Sequence, residues 1–200
     1  MMRNNVKIAI TGGIGSGKST VLEIIRGEGF PVYSCDEIYS QLLNGAGLSA
    51  EIGKAFNDVV DENGKLDRKK LGALVFSNAA ELEKLNNITH PKIFKAVFEK
   101  MQDKEISFCE VPLLFESGYE KYFDNVIVVM RDENDRILSV MQRDGLSPSE
   151  AKKRMNNQQN YANCNFAEYY VIHNSGNLRD LRQNVINTIT EIKEKYLKNF

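Results

Sequence analysis

One glycine-rich stretch near the start of the chain has the residue types and spacing of a phosphate-binding loop. Gly12, Gly17, Lys18 and Ser19 satisfy the pattern G-x-x-x-x-G-K-[ST]. Glycines let backbone N–H groups approach an anion, and the start of a following helix adds a partial positive charge. In this pattern the lysine reaches the β- and γ-phosphates of a nucleotide, and the hydroxyl can bind Mg²⁺. The alternative is a glycine-rich turn before a capped helix.

The residues on either side of the loop favour the nucleotide interpretation. Val6–Ile10 is a short β-type run before the loop, and Ser19–Arg26 has the pattern of a helix after it. Strand, glycine loop and helix form the setting in which the motif binds phosphate. The loop alone does not distinguish GTPases, ATPases and small-molecule kinases. No N-K-x-D motif that would read guanine occurs, and Asp61–Gly64 is a plain polar turn.

Three further features favour phosphoryl transfer by a kinase. Asp36 directly follows the second predicted strand, and ligands of such folds bind at the carboxyl ends of the strands. A carboxylate there can accept a proton from an acceptor hydroxyl or hold Mg²⁺; the alternative is an N-cap of a helix over residues 36–44. Arg143 is a candidate cation for the transferring phosphoryl group, whereas Lys152–Arg154 fits a solvated helix face. The third feature is a long helical insertion that could hold an acceptor and close over it.

Composition excludes several other classes of protein. The chain has 200 residues, a formal net charge of −1 and 42% hydrophobic residues, as in an ordinary soluble globular protein without bulk affinity for nucleic acid. We expect no transmembrane helix and no signal peptide, because the apolar runs are short. The three cysteines, Cys35, Cys109 and Cys164, show no C-x-x-C pairing and fit reduced thiols of a cytoplasmic protein. With two histidines, a zinc site is not expected.

The order of the predicted elements indicates an α/β fold. Strands alternating with helices predict a parallel sheet with helices on both faces. The predicted strands are Val6–Ile10, Pro31–Ser34, Ile106–Val111, Asn125–Met130 and Tyr169–Ile172. Residues 37–104 contain only helical patterns, one of them opened by Pro91, and are too long for a simple crossover. They therefore predict a separate helical subdomain. Further helices are expected over Ser147–Gln159 and after an N-cap at Asn177.

The chain resembles the dephospho-coenzyme A kinase family nearly from end to end. The shared segments, in the family's order and spacing, are ITGGIGSGKST (10–20), DEI (36–38), GKLDRKKLGALVF (64–76), ITHPKI (88–93), EVPLLFESG (110–118), MQRDGLS (141–147) and VIHNSGNLRDL (171–181). Together they are far more specific than the phosphate loop. The resemblance implies transfer of the ATP γ-phosphate to the 3′-hydroxyl of dephospho-coenzyme A. It also implies a P-loop NTPase three-layer fold with a parallel five-stranded sheet, an inserted helical acceptor-binding subdomain and a lid.

The same resemblance implies roles and boundaries. The core would comprise about 1–36, 104–142 and 166–200, the acceptor subdomain about 37–103 and the lid about 143–165. Lys18, Asp36 as general base and Arg143 in the lid would be catalytic, with Ser19 and Asp36 near Mg²⁺. The ATP site would be formed by Gly13, Gly15, Ser16, Gly17, Lys18, Ser19 and Thr20, with Asn174, Ser175 and Gly176 at the adenine end. The acceptor side would include Thr11, His90, Pro112, Leu113 and Leu114. Alternatively, His90 makes a structural hydrogen bond at a helix start, and Leu113, Leu114 and Phe115 belong to the core.

The chain departs from the family pattern at four places. Ser34-Cys35-Asp36 replaces the usual Asp-Ala-Asp, Ser40 replaces an arginine, Glu110 replaces an aspartate, and His173 replaces the usual aspartate before Asn-Ser-Gly. The expected partners are ATP, Mg²⁺ and dephospho-coenzyme A, without nucleic acid or membrane, in a cytoplasmic monomer or small homo-oligomer. Another nucleotide or small-molecule kinase is the alternative on the same fold, and a nucleotide-dependent switch is the alternative of another class.

Overall fold

The computed structural model describes residues 5–61, 65–156, 158, 161 and 164–197. The turn predicted at Glu62-Asn63-Gly64 and part of the predicted lid lie outside the described residues. The chain divides into two compact units. The first unit runs to Tyr33 and resumes at Met101, and the second unit covers Ser34–Lys100.

A five-stranded sheet forms the centre of the first unit. Its strands are β1 (Val6–Thr11), β2 (Val32–Ser34), β3 (Ile106–Glu110), β4 (Asn125–Met130) and β5 (Tyr170–His173). Their order is β2-β3-β1-β4-β5, and β1 pairs in parallel with β3 and β4 while β4 pairs in parallel with β5. The predicted α/β class is confirmed. One strand has the predicted bounds, and the other four differ from the prediction only at their ends. Because the strands are parallel, their carboxyl ends meet at one edge, where the phosphate loop begins.

Helices account for most of the remaining described chain. They are α1 (Lys18–Gly27), α2 (Cys35–Asn44), α3 (Ala46–Ala55), α4 (Arg68–Ser77), α5 (Ala79–Met101), α6 (Leu114–Ser117), α7 (Glu133–Asp144), α8 (Pro148–Asn156) and α9 (Leu178–Leu197). The apolar faces of α1 and α9 pack on the sheet through Ile25, Val185 and Ile192, all fully buried. Asn177 accepts a hydrogen bond from the Asp180 N–H at 3.0 Å, which confirms the predicted cap of α9. The helix predicted over Ser147–Gln159 corresponds to α8, which ends at Asn156.

The second unit has an apolar core of its own. Ile52, Phe56, Val59 and Leu71 are buried together in it, contributed by α3, α4 and the segment between them. An isolated antiparallel bridge joins Val60 to Leu66.

One boundary prediction in the second unit was wrong. Pro91 does not open a helix but lies inside the 23-residue α5, which joins two predicted helices into one. A proline in a helix interior removes one backbone hydrogen bond and crowds the preceding turn. Phe94, Val97 and Met101 are buried in the half of α5 that follows the proline. Burial of that apolar side therefore outweighs the local cost, as tertiary packing often outweighs propensity.

Within the described residues, no helix combines the length and the apolar character needed to span a membrane.

Candidate active site

The phosphate loop connects β1 to α1 at the carboxyl edge of the sheet. β1 ends at Thr11 and α1 begins at Lys18, with Gly17 as its N-cap. Gly15 and Gly17 have φ of 77° and 92°, a left-handed conformation that favours glycine. Since the glycine cap has no side chain, no side-chain cap bonds the first N–H groups of α1. Those N–H groups are suited to bind an anion.

At several glycine positions of this loop, an added Cβ would collide with a neighbouring group. A Cβ on Gly13 would collide with the guanidinium of Arg136, and a Cβ on Gly15 would collide with the Arg136 backbone carbonyl. A Cβ on Gly17 would collide with the side-chain amide of Asn174. The glycine pattern is therefore required by packing against other elements as well as by backbone conformation.

Lys18 folds back over the loop. Its Nζ donates hydrogen bonds to the carbonyls of Gly12, at 2.7 Å, and Gly13, at 3.3 Å. Ser19 is exposed and Thr20 half-buried in the first turn of α1. The Ser16 hydroxyl is buried and has no hydrogen-bond partner among the described residues. Buried polar groups are rarely left unpaired, so this hydroxyl fits a loop that binds ligand oxygens.

Three side chains from distant parts of the sequence hold the loop backbone. Arg136 on α7 donates from Nε to the Ile14 carbonyl at 3.0 Å, and Gln158 accepts from the Ile14 N–H at 2.7 Å. Asn174, directly after β5, donates to the Ser16 carbonyl at 2.9 Å. Asn174 thus reaches the loop backbone, next to the exposed Ser175 and Gly176. No motif in the sequence distinguishes Arg136 or Gln158, so neither was predicted to contact the loop.

A cavity of about 280 Å³ lies beside the loop at the carboxyl end of β4. It is lined by Gly13, Ser16, Val129, Met130, Arg131, Glu133, Arg136, Met155, Asn156, Gln158 and Tyr161. Two arginines and one glutamate give it a net positive lining. Burial lowers the pKa of the Arg136 guanidinium, and the nearby Glu133 opposes that shift. An arginine in this position remains charged, so the cavity can hold an anionic group.

Thr11, predicted on the acceptor side, is tied to a buried tyrosine. Its hydroxyl and the hydroxyl of Tyr161 lie 3.1 Å apart. The Tyr161 ring packs against Phe115 and Phe166, at centroid distances of 6.1 and 5.8 Å. Burial raises the pKa of Tyr161 to about 12, although the bond to Thr11 acts in the opposite direction. The tyrosine therefore stays protonated and can donate to or accept from Thr11.

The predicted apolar wall divides between core and surface. Leu114 is fully buried, as the core alternative predicts, whereas Leu113 is 47% exposed and Pro112 is half-buried. Only Leu113 and Pro112 therefore present surface that an acceptor could contact.

Arg143 shares a carboxylate with a second arginine. Its Nε donates to Asp144 Oδ1 at 2.8 Å, and Arg154 NH1 donates to Asp144 Oδ2 at 2.6 Å. Arg143 lies in the last turn of α7 and Arg154 belongs to α8, so the Asp144 carboxylate joins the end of α7 to α8 at the start of the predicted lid. Lys152 and Lys153 are exposed, as predicted, whereas Arg154 belongs to this cluster.

Asp36 and His90 belong to the second unit. Asp36 is exposed in the first turn of α2, and the N-cap is Ser34, which accepts from the Glu37 N–H at 3.4 Å. The alternative that Asp36 is the cap was therefore wrong, because the cap lies two residues earlier, at Ser34. His90 lies inside α5 rather than at a helix start, edge-on to Phe94 at 6.3 Å. Burial lowers the pKa of its imidazole, which favours the neutral form.

Among the described residues, no group of three or more His, Cys, Asp or Glu side chains could hold a metal ion. Mg²⁺ at a phosphate loop does not need such a group, because one or two protein oxygens act together with substrate phosphates.

Comparisons with known proteins agree with this geometry. Residues 6–180 match the family described as dephospho-CoA kinase. A dephospho-CoA kinase of Fusobacterium nucleatum is 41% identical over 182 residues, which cover 89% of this chain and 94% of that protein. Among solved structures, the Thermus thermophilus protein TT1252 has a TM-score of 0.82 and 32% identity, covering 94% of this chain and 97% of its own. A Campylobacter jejuni dephospho-CoA kinase has a TM-score of 0.68 and 33% identity, covering 94% and 98%. The matched residues contain the phosphate loop, Arg143 and Asn174, and the chain belongs to the dephospho-CoA kinase family.

Proposed function

We propose that this chain transfers the γ-phosphate of ATP to the 3′-hydroxyl of dephospho-coenzyme A and so forms coenzyme A. One observation carries the proposal: a complete phosphate loop, with Lys18 over it, lies in a chain that matches the dephospho-CoA kinase family over residues 6–180. Phosphoryl transfer depends mostly on positioning and on neutralising charge. The loop, the start of α1 and Lys18 provide both for the nucleotide.

The proposed ATP site uses the residues of the loop and the end of β5. Backbone N–H groups of Gly13 to Thr20 and the Lys18 ammonium would bind the phosphates. Asn174 would position the loop, and Ser175 and Gly176 would line the adenine end. Mg²⁺ would be held by the Ser19 hydroxyl, with Asp36 nearby, and it would neutralise charge on the phosphates. The unpaired Ser16 hydroxyl and the uncapped start of α1 fit this use.

The proposed reaction assigns two further roles. Asp36, exposed in the first turn of α2, would accept the proton of the acceptor hydroxyl. Arg143 would place its guanidinium on the transferring phosphoryl group, where charge develops in the transition state. Thr11, His90, Pro112, Leu113 and Leu114 would form the acceptor side, with Leu114 acting from within the core.

Three departures from the family pattern bear on the acceptor side and on Mg²⁺. Ser40 is exposed where the family has an arginine, so it cannot supply a cationic phosphate contact. Glu110 ends β3 half-buried, and its side chain is one methylene longer than the usual aspartate. Ser34, in place of the first aspartate, caps α2, so of the family's two aspartates only Asp36 is present.

An acceptor assay tests the proposal directly. ATP turnover is measured with dephospho-coenzyme A and Mg²⁺, and the product is mapped by phosphorus NMR to the 2′- or 3′-hydroxyl. We expect ADP and coenzyme A in equal amounts and no turnover without acceptor. Nucleoside monophosphates serve as alternative acceptors, and Lys18→Ala serves as the inactive control. Faster phosphorylation of a nucleoside monophosphate would favour the alternative kinase, and equal ATP turnover without acceptor would favour a switch.

A further inference from the structure

Side chains hold both backbone groups of Ile14, in the middle of the phosphate loop. The Ile14 carbonyl accepts from Arg136 Nε at 3.0 Å, and the Ile14 N–H donates to Gln158 Oε1 at 2.7 Å. Arg136 lies 122 residues from Ile14 in the sequence, and Gln158 lies 144 residues away. A loop rich in glycine has many accessible conformations, so fixing the peptide groups on both sides of one residue removes much of that freedom.

Arg136 is packed against the loop more closely than a surface cation would be. Its guanidinium fills the space beside Gly13, and its backbone lies against Gly15. The side chain is half-buried, and burying a charge is costly unless hydrogen bonds compensate. The bond to the Ile14 carbonyl supplies one such compensation, because hydrogen bonds from a charged donor are stronger than neutral ones.

We infer that Arg136 is a positioning residue of the phosphate loop, which fixes the Ile14 carbonyl through its Nε–H and keeps the loop in its ATP-binding shape. The inference rests on the proposed function only in taking ATP as the ligand of the loop. Gln158 assists by accepting from the N–H of the same residue, in the preceding peptide group. Because Arg136 lies on α7, the shape of the loop depends on the helix that carries Arg143 in its last turn.

A direct role for Arg136 as a cation is the competing explanation, since Arg136 also lines the cavity beside the loop. The two roles use different atoms. Glutamine has an N–H donor at the same side-chain position as arginine Nε, but carries no charge. Lysine keeps the charge but places its ammonium one atom further along the side chain. Methionine matches the length of the arginine side chain as far as Nε, but it has neither the N–H donor nor the charge.

The experiment compares Arg136→Gln, Arg136→Lys and Arg136→Met with the parent chain. Binding of a fluorescent ATP analogue gives Kd without any acceptor, and steady-state assays separate kcat from KM for ATP. Arg136→Met and Arg136→Lys both lose the hydrogen bond that the charged Arg136 donates to the Ile14 carbonyl. We therefore expect them to raise Kd and KM for ATP by roughly tenfold or more, with a smaller change in kcat. Arg136→Gln should recover most of that loss, to within about threefold of the parent. Arg26→Gln, at an exposed arginine at the end of α1, is the matched control.

The opposite ranking would overturn the inference. If Arg136→Lys keeps nucleotide affinity and Arg136→Gln loses it, Arg136 acts as a cation on the substrate. An equal loss of nucleotide affinity in all three variants, or no loss of affinity in any of them, would also contradict a role of the Nε–H. Thermal unfolding checks that the variants are folded. If Arg136→Met does not fold, the nucleotide affinities of Arg136→Gln and Arg136→Lys decide between the two roles.

Failure of this inference can be distinguished from failure of the proposed function. A parent chain that binds ATP but does not phosphorylate dephospho-coenzyme A would refute the proposed acceptor and still allow the Arg136 comparison. A parent chain that binds no nucleotide would refute both.

Discussion

Gly13, Gly15 and Gly17 each have a neighbouring group where a side chain would have to lie. Two of these neighbours come from Arg136 and the third is the amide of Asn174. At the scale of residues, the phosphate loop is therefore more than a flexible turn with a lysine after it. It is a packed structure in which glycine permits close approach as well as left-handed backbone.

We expect Asp36→Asn to lower kcat by at least about 100-fold with little change in ATP affinity, because a general base contributes roughly 10²–10⁴-fold. Ser34, and not Asp36, caps α2, so the substitution should change the free energy of unfolding by only a few tenths of a kcal/mol. Rate measurements with dephospho-coenzyme A and thermal unfolding of the same samples check both parts. Glu37→Gln, the neighbouring exposed acid, is the control. A folded Asp36→Asn protein with more than about a tenth of the parent rate would remove Asp36 from the mechanism.

Arg143→Ala should lower kcat more than it raises KM for ATP, because a lid cation acts on charge that develops in the transition state. Arg143 is 60% exposed and paired with Asp144, so the fold should tolerate its loss. Initial rates at varied ATP separate the two constants. Lys153→Ala, at an exposed position on α8, is the comparison variant. An unchanged kcat with a large rise in KM would show that Arg143 only binds ATP.

Tyr161 predicts a pH dependence of stability. Its pKa is raised from 10.0 to about 12 in the folded chain, so between these values the unfolded chain releases a proton that the folded chain keeps. Stability from this group is therefore complete below pH 10 and is lost as pH rises through about 12. The full loss is on the order of 3 kcal/mol, since the shift is about two pKa units and each corresponds to about 1.4 kcal/mol.

Tyr161→Phe tests this dependence by comparison with the parent. Urea unfolding from pH 8.5 to 11 should show the parent losing more stability than the variant above pH 10, while the other tyrosines contribute equally to both. Parallel pH profiles in the two proteins would contradict the assignment.

At the scale of elements, caps and apolar faces decide where helices begin and continue. Ser34 starts α2 and Asn177 starts α9 through side-chain hydrogen bonds. α5 continues through Pro91, because the residues after the proline are buried on one side. The carboxylate of Asp144 joins the end of α7 to α8, a contact between elements that helix periodicity does not reveal.

Asp67, as the N-cap of α4, should contribute about 1 kcal/mol to the free energy of unfolding of the second unit. Its Oδ1 accepts from the N–H groups of Lys69, at 2.9 Å, and Lys70, at 3.1 Å. Asp67→Ala should therefore lower the free energy of unfolding by about that amount, and Asp67→Asn by much less, because asparagine also caps helices well. Urea denaturation of the two variants is the measurement. If both variants lost the same free energy of unfolding, the carboxylate charge, rather than the cap, would stabilise α4.

At the scale of the whole molecule, each unit has an apolar core of its own. The first buries residues of the sheet against α1 and α9, and the second buries α3 and α4 together with adjoining segments. ATP is proposed to bind to the phosphate loop in the first unit, and binding to the folded chain alone must stabilise it.

ATP with Mg²⁺ at 100 times its Kd should stabilise the parent by about 2.7 kcal/mol. For a chain of this size that is a rise in Tm of roughly 5–10 °C. Lys18→Ala should lose most of this rise, because Lys18 lies over the loop. Lys54→Ala, at an exposed lysine of the second unit, should keep it. A full rise in the Lys18→Ala protein would contradict a phosphate contact of this lysine.

The sequence by itself determined the elements whose signals are local. The glycine–lysine pattern located the loop, and alternating patterns predicted the five strands with small errors at their ends. Shared motifs indicated the family, which the comparisons confirmed. Such signals depend on neighbouring residues, so they can be recognised before folding is known.

Tertiary structure decided which distant side chains meet and which local rules are broken. The contacts of Arg136, Gln158 and Asn174 with the loop join residues more than 100 positions apart, and no spacing in the sequence encodes them. The same holds for the bond between Thr11 and Tyr161. Pro91 within α5 shows the second effect, because burial of a helix face is a property of the folded chain and outweighs a local preference.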